Sequence, residues 1–137
     1  MGKTVKAWIS AARPRTLPLS ISGILTGSAI ALLENAFNWT IFALAIATTL
    51  SFQILSNFAN DYGDGIKGTD NDNRLGPQRA VQSGAITDKS LKKGMIINAF
   101  ISLVLAFLLI GFSFDFKDLA AILIYFVLAI LSIVAAI

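Results

Sequence analysis

The chain has no cysteine and no histidine among its 137 residues. That excludes disulfides, thiolate nucleophiles, imidazole bases and Cys/His zinc sites together. Any metal it holds must sit on oxygen ligands, which favours a hard cation: Mg²⁺, Mn²⁺ or Ca²⁺. Charge is scarce too. Asp, Glu, Lys and Arg make up 14% of the residues, against about 25% in an average soluble domain. Hydrophobic residues make up 55% and mean hydropathy is +0.73, so the composition is that of a membrane protein. The net charge of +3 then reports orientation across a bilayer and implies no nucleic-acid partner.

The few charges are clustered, and the runs between them are apolar. Four candidate spans follow, at 17–33, 39–59, 95–112 and 119–137, with a long loop at 60–93. Each is near the roughly 20 residues that cross a bilayer as a helix. The runs are continuous where barrel strands would alternate, so the expected fold is an all-α, polytopic transmembrane helical bundle. The last run stops on Val134-Ala135-Ala136-Ile137 with no aromatic, basic or polar tail. The expectation is a chain that continues in a longer protein.

Before the first span, Val5, Trp8, Ile9 and Ala12 recur at i, i+3, i+4 and i+7. This spacing predicts a short amphipathic helix lying in the membrane interface, with Lys3 and Lys6 on its polar side. A signal peptide fits less well, because Pro14 and Pro18 precede the apolar run and more spans follow. Lys3, Lys6, Arg13 and Arg15 lie before the first span; Lys67, Arg74, Arg79, Lys89, Lys92 and Lys93 lie in the long loop. Two spans separate the regions, so they share a side, with only Lys117 opposite. The positive-inside rule makes the N-terminus and long loop cytoplasmic, in a cell (inner) membrane.

The second span does not end cleanly. It continues through Gln53, Asn57, Asn60, Asp61 and Asp64. At about 100° per residue, with Gln53 at zero, Asn57 lies near 40°, Asn60 near −20°, Asp61 near 80° and Asp64 near 20°. Amide and carboxylate oxygens therefore share one stripe of a helix. Gln53 or Asn57 alone would read as interhelical hydrogen bonding. The full set, at a cytoplasmic helix end, invites a divalent cation. Mg²⁺ in particular binds through one or two carboxylates plus substrate phosphates. The loop that follows is punctuated by Gly63, Gly65 and Gly68 and carries Asp70, Asp72, Arg74 and Arg79. It is no EF-hand, since Leu75 and Val81 stand where that loop needs Gly and Glu. Carboxylates holding a metal, and arginines closing on phosphate, suit it better.

The stretch from Asn57 to Asp64, with Gly68-Thr69-Asp70 and Arg74-Leu75-Gly76-Pro77-Gln78-Arg79, resembles the first aspartate-rich motif of the UbiA superfamily of membrane prenyltransferases. The menaquinone branch is the most similar, and Arg13-Pro14-Arg15-Thr16-Leu17 resembles that family's approach to its first helix. The superfamily pattern Asn-Asp-x-x-Asp-x-x-x-Asp has Gly68 at its last position here, with Asp70 the nearest carboxylate.

The resemblance implies that residues 1–137 are the N-terminal part of a nine-helix fold whose second aspartate-rich loop lies in a missing C-terminal half. It implies Mg²⁺ as cofactor, a polyprenyl diphosphate donor, and 1,4-dihydroxy-2-naphthoate as acceptor. Diphosphate and carbon dioxide would leave, giving demethylmenaquinol. Carried onto this chain, the ligand set is Asn60, Asp61, Asp64 and Asp70, with Asn60, Asp61 and Asp64 catalytic, and diphosphate contacts from Arg74, Arg79 and Lys67. Open alternatives are a 4-hydroxybenzoate-type acceptor, a catalytically silent piece, and a transporter-like membrane subunit.

Overall fold

The structure, a computed structural model, describes residues 2–67, 84–114 and 116–136. It is 87% helical, with no strand among the described residues, which establishes the all-α bundle. The helices are α1 (Lys3–Ala12), α2 (Leu17–Leu33), α3 (Trp39–Lys67), α4 (Asp88–Ser113) and α5 (Leu119–Ala136), with a 3₁₀ turn at Pro14–Thr16 between α1 and α2.

Local chemistry sets the helix ends. Asn35 closes α2 in the left-handed region (φ 56°). Ala36 N–H donates to the Ala31 carbonyl and Asn35 N–H to that of Leu32, a Schellman stop with Asn in the position that tolerates a left-handed backbone. Asn38 then starts α3, its Oδ1 accepting from the Thr40 and Ile41 amides. Thr87 caps α4 by accepting from Ser90 N–H, and Asp118 caps α5 by accepting from Ala121 N–H.

Three stretches are long and apolar enough to cross a membrane: Thr4–Leu33, Trp39–Ile66 and Asp88–Ser113; Leu119–Ala135 is a shorter apolar helix. The first is not one helix, because Arg13 breaks it in the left-handed region (φ 50°). The helices also extend past the apolar runs. α3 continues beyond residue 59 to Lys67, and α4 begins at Asp88, ahead of residue 95. Hydropathy registers only the part of a helix that lies in hydrocarbon. The 29 residues of α3 span about 44 Å, more than the roughly 30 Å core. The helix is therefore long enough for its last polar turns to project beyond that core.

The packed core sits at one end of the bundle, where α1, the C-terminal half of α3 and the start of α4 meet around Leu55, Phe58, Leu91 and Met95. Around that core apolar side chains face outward along the helices, Leu19 at 79% and Leu33 at 81% exposure among them. Such surfaces suit lipid and not water. The chain is embedded in a membrane.

α1 is amphipathic, but with three sectors where the sequence pattern indicates two. With Val5 at zero, Ala7, Ala11, Trp8 and Ala12 fall between about 200° and 340°. These residues pack into the core or against it. Val5 and Ile9, near 0° and 40°, remain exposed. The periodicity finds the apolar residues correctly, yet cannot divide protein contact from membrane contact. Trp8 stands edge-on to Phe58, with ring centroids 5.5 Å apart. Its indole also lies over Gly94 of α4, where an added Cβ would come within 2.7 Å of the ring.

Gly94→Val is expected to displace Trp8 and destabilise the fold by about 1–3 kcal/mol, the usual cost of overpacking. Thermal unfolding in detergent and a red-shifted Trp8 emission in a Trp39→Phe background would register it. Unchanged emission and midpoint would contradict this packing.

Candidate functional site

The polar stripe of α3 divides into two faces. One face is occupied by the elbow between α1 and α2. Asn57 Nδ2 donates to the Ala12 carbonyl at 2.9 Å and to Thr16 Oγ1 at 3.3 Å. One turn on, Arg13 Nη2 donates to Asp61 Oδ1 at 2.5 Å, forming an ion pair. The Asp61 side chain is 3% exposed and that of Arg13 32%, so the pair is enclosed from the carboxylate's side. The other face carries Asn60, which is exposed; Asp64, which is half-buried, leaves the helix between the two faces. They are separated by one helical turn, so both present oxygen to the same side of α3.

Among the described residues, no group of three or more His, Cys, Asp or Glu could hold a metal ion by itself. Asp70, Arg74 and Arg79 lie outside the described residues, and Lys67 is the last residue of α3.

Below this end lies a cavity of about 430 Å³ between α2, α3 and α5. Its polar lining is Ser20 of α2, Thr48, Thr49, Gln53 and Ser56 of α3, and Ser132 of α5. Three of these hydroxyls donate to their own helices: Ser20 to the Leu17 carbonyl, Thr48 to Leu44 and Ser132 to Leu128. Their donor capacity is used, and their oxygens remain acceptors toward the cavity. Thr49, Gln53 and Ser56 share a helical face with Asn60, at i, i+4, i+7 and i+11. One face of α3 therefore runs from the cavity wall to the Asn60–Asp64 end.

Sequence reasoning missed two features. It gave Arg13 no partner, although an Arg next to a helix-breaking Pro, on the same side of the membrane as Asp61, was a usable signal. It also passed over the cavity hydroxyls. Thr49, Gln53 and Ser56 are visible as an i, i+4, i+7 set, whereas Ser20 and Ser132 join them only through tertiary packing.

No family model matches the chain, and no solved structure matches it. Curated proteins do. The chain is 43% identical over 139 residues to the 1,4-dihydroxy-2-naphthoate octaprenyltransferase of Haemophilus influenzae, an alignment covering 100% of this chain and 44% of that protein. It is 45% identical over 92 residues to the enzyme of the same name from Escherichia coli, covering 67% and 30%. It is 42% identical over 105 residues to that from Mycobacterium tuberculosis, covering 74% and 36%. The chain thus spans less than half the length of these relatives. Over the segment it spans, it belongs to the family of the 1,4-dihydroxy-2-naphthoate octaprenyltransferases.

Proposed function

We propose that this chain carries the first metal–diphosphate half-site of a prenyltransferase. The enzyme transfers a polyprenyl group from polyprenyl diphosphate to 1,4-dihydroxy-2-naphthoate, with loss of diphosphate and carbon dioxide. The observation that carries the reading is the single face of α3 that joins a mainly apolar cavity bearing hydroxyl and amide groups to the Asn60 and Asp64 oxygens. The relatives' names supply the acceptor and favour it over a 4-hydroxybenzoate-type compound.

The residues fit Mg²⁺. Asn60 and Asp64 offer one amide and one carboxylate oxygen source on one side of the helix, and the described residues form no all-protein cage. That is the partial donor set expected of a cation that completes its shell with water and substrate phosphate. When bound, Mg²⁺ supplies neutralisation of the departing diphosphate's charge.

Asn60 and Asp64 are the proposed holders of the metal, with Asp70 as a further ligand. Arg74, Arg79 and Lys67 are proposed to meet the diphosphate. Arginine serves there because its planar fork matches phosphate oxygens in pairs. The cavity volume lies in the ordinary range for small-ligand sites. Its hydroxyl and amide oxygens suit an aromatic compound bearing hydroxyl donors. Docking of α1 against the C-terminal half of α3 puts the basic N-terminus and this site at one end of the bundle. By the positive-inside rule we assign that end to the cytoplasmic side.

At its full encoded length, the protein with Asp64→Ala is expected to lose on the order of 10²-fold or more in prenyl transfer to dihydroxynaphthoate, the scale set by losing one charge-stabilising group. Transfer of a labelled prenyl group at the unmodified rate would sink the assignment. Chelation with EDTA is expected to stop turnover, and added Mg²⁺ to restore it. Turnover that persists in EDTA would rule out a metal-dependent site.

A further inference from the structure

Asp61 lies next to Asn60 in sequence but turns away from it in space. The two side chains leave α3 about 100° apart, and the Asp61 carboxylate is taken up by Arg13. The two side chains carry opposite formal charges. Turning Asp61 toward a metal would break this ion pair and release the Arg13 side chain from α3.

The elbow is held twice over. The Arg13 side chain is fixed by Asp61, and the adjacent Ala12 carbonyl by Asn57, from successive turns of α3. Thr16 Oγ1 donates to the Arg13 carbonyl at 2.9 Å and also accepts from Asn57. Arg13 itself adopts a left-handed backbone (φ 50°). A non-glycine residue holds that conformation where its surroundings over-determine it.

From this geometry we propose that Arg13 and Asp61 are positioning residues. Their ion pair clamps the α1–α2 elbow to α3 and so sets the place of the Asn60–Asp64 end relative to the membrane-surface helix. Asp61 holds protein here, and the metal is left to Asn60 and Asp64. The inference rests on the reading of those two residues as metal ligands.

The test uses the protein at its full encoded length in detergent, with Arg13→Gln, Asp61→Asn, the double variant and the charge swap Arg13→Asp/Asp61→Arg. Calorimetric titration with Mg²⁺ and inorganic diphosphate is the first readout. Each single variant is expected to bind about 10–100-fold more weakly, the range for residues that orient metal ligands. The double variant should be no weaker than the weaker single, because both remove one interaction, and the swap should recover part of the affinity. Asp61→Asn abolishing binding while Arg13→Gln leaves it intact would make Asp61 a ligand and overturn the proposal. Arg13→Gln weakening diphosphate binding without metal, with Asp61→Asn neutral, would make Arg13 a direct diphosphate contact and also overturn it.

A second readout needs no ligand. The chain has no cysteine, so nitroxide labels can be placed at Val5 and Ile66, both exposed. Pulsed EPR then measures the spacing of α1 and the end of α3. Both single variants should broaden that distance distribution, and an unchanged distribution in either overturns the clamp. Unmodified protein that binds no Mg²⁺–diphosphate would contradict the metal reading itself, and the label spacing would still decide the clamp.

Discussion

Polar side chains on one helix tie this bundle together. In hydrocarbon, apolar surfaces gain little by leaving lipid for each other, so helix association relies on close packing and hydrogen bonds between helices. α3 supplies those bonds along much of its length. Near its middle, Ser51 meets Asn98 and the fully buried Ser102 of α4, and Asn98 returns a bond to the Ser51 carbonyl. Further along, Asn57 reaches Ala12 and Thr16, and Asp61 reaches Arg13. The elbow, the orientation of α1 and the placement of the candidate site all follow from these contacts.

The same constraint explains the division of labour on α3. A helix gives each residue a fixed direction, so neighbours in sequence serve different partners. Asn57 and Asp61 face the elbow. Asn60 lies on the side that Thr49, Gln53 and Ser56 continue down to the cavity, and Asp64 points between the two directions. A single helix thereby acts as a structural strut on one face and, under the proposed function, as a ligand wall beside it.

Much of this was legible in the sequence. The uncharged runs gave the helices, and the polar breaks gave their ends, because Asn35, Asn38, Thr87 and Asp118 carry their capping chemistry locally. The stripe from Gln53 to Asp64 was legible because helical geometry fixes directions without tertiary knowledge. What stayed hidden depended on partners distant in sequence. Helical direction sets Asp61 at the edge of the stripe, but its partner Arg13, 48 positions away, comes into view only when the helices are packed. Ser20 and Ser132 look like ordinary small residues of membrane helices until α2 and α5 are brought to opposite sides of one cavity. The extent of α3 past residue 59 was hidden for another reason: its polar turns look like loop to any measure of hydropathy.

The three sectors of α1 have a further consequence. One sector belongs to the core through Ala7, Ala11 and Trp8, another offers Val5 and Ile9 outward, and Lys6 and Ser10 complete the circumference. This helix of ten residues is about 15 Å long, and it is anchored at its far end by Arg13. Membrane surface and site geometry then share one rigid lever. Lipid headgroup charge and packing, which act on Lys6 and on the Val5–Ile9 sector, become conditions of the site's shape. Under the proposed roles of Arg13, Asp61, Asn60 and Asp64, the bilayer becomes a component of the binding machinery as well as the protein's solvent.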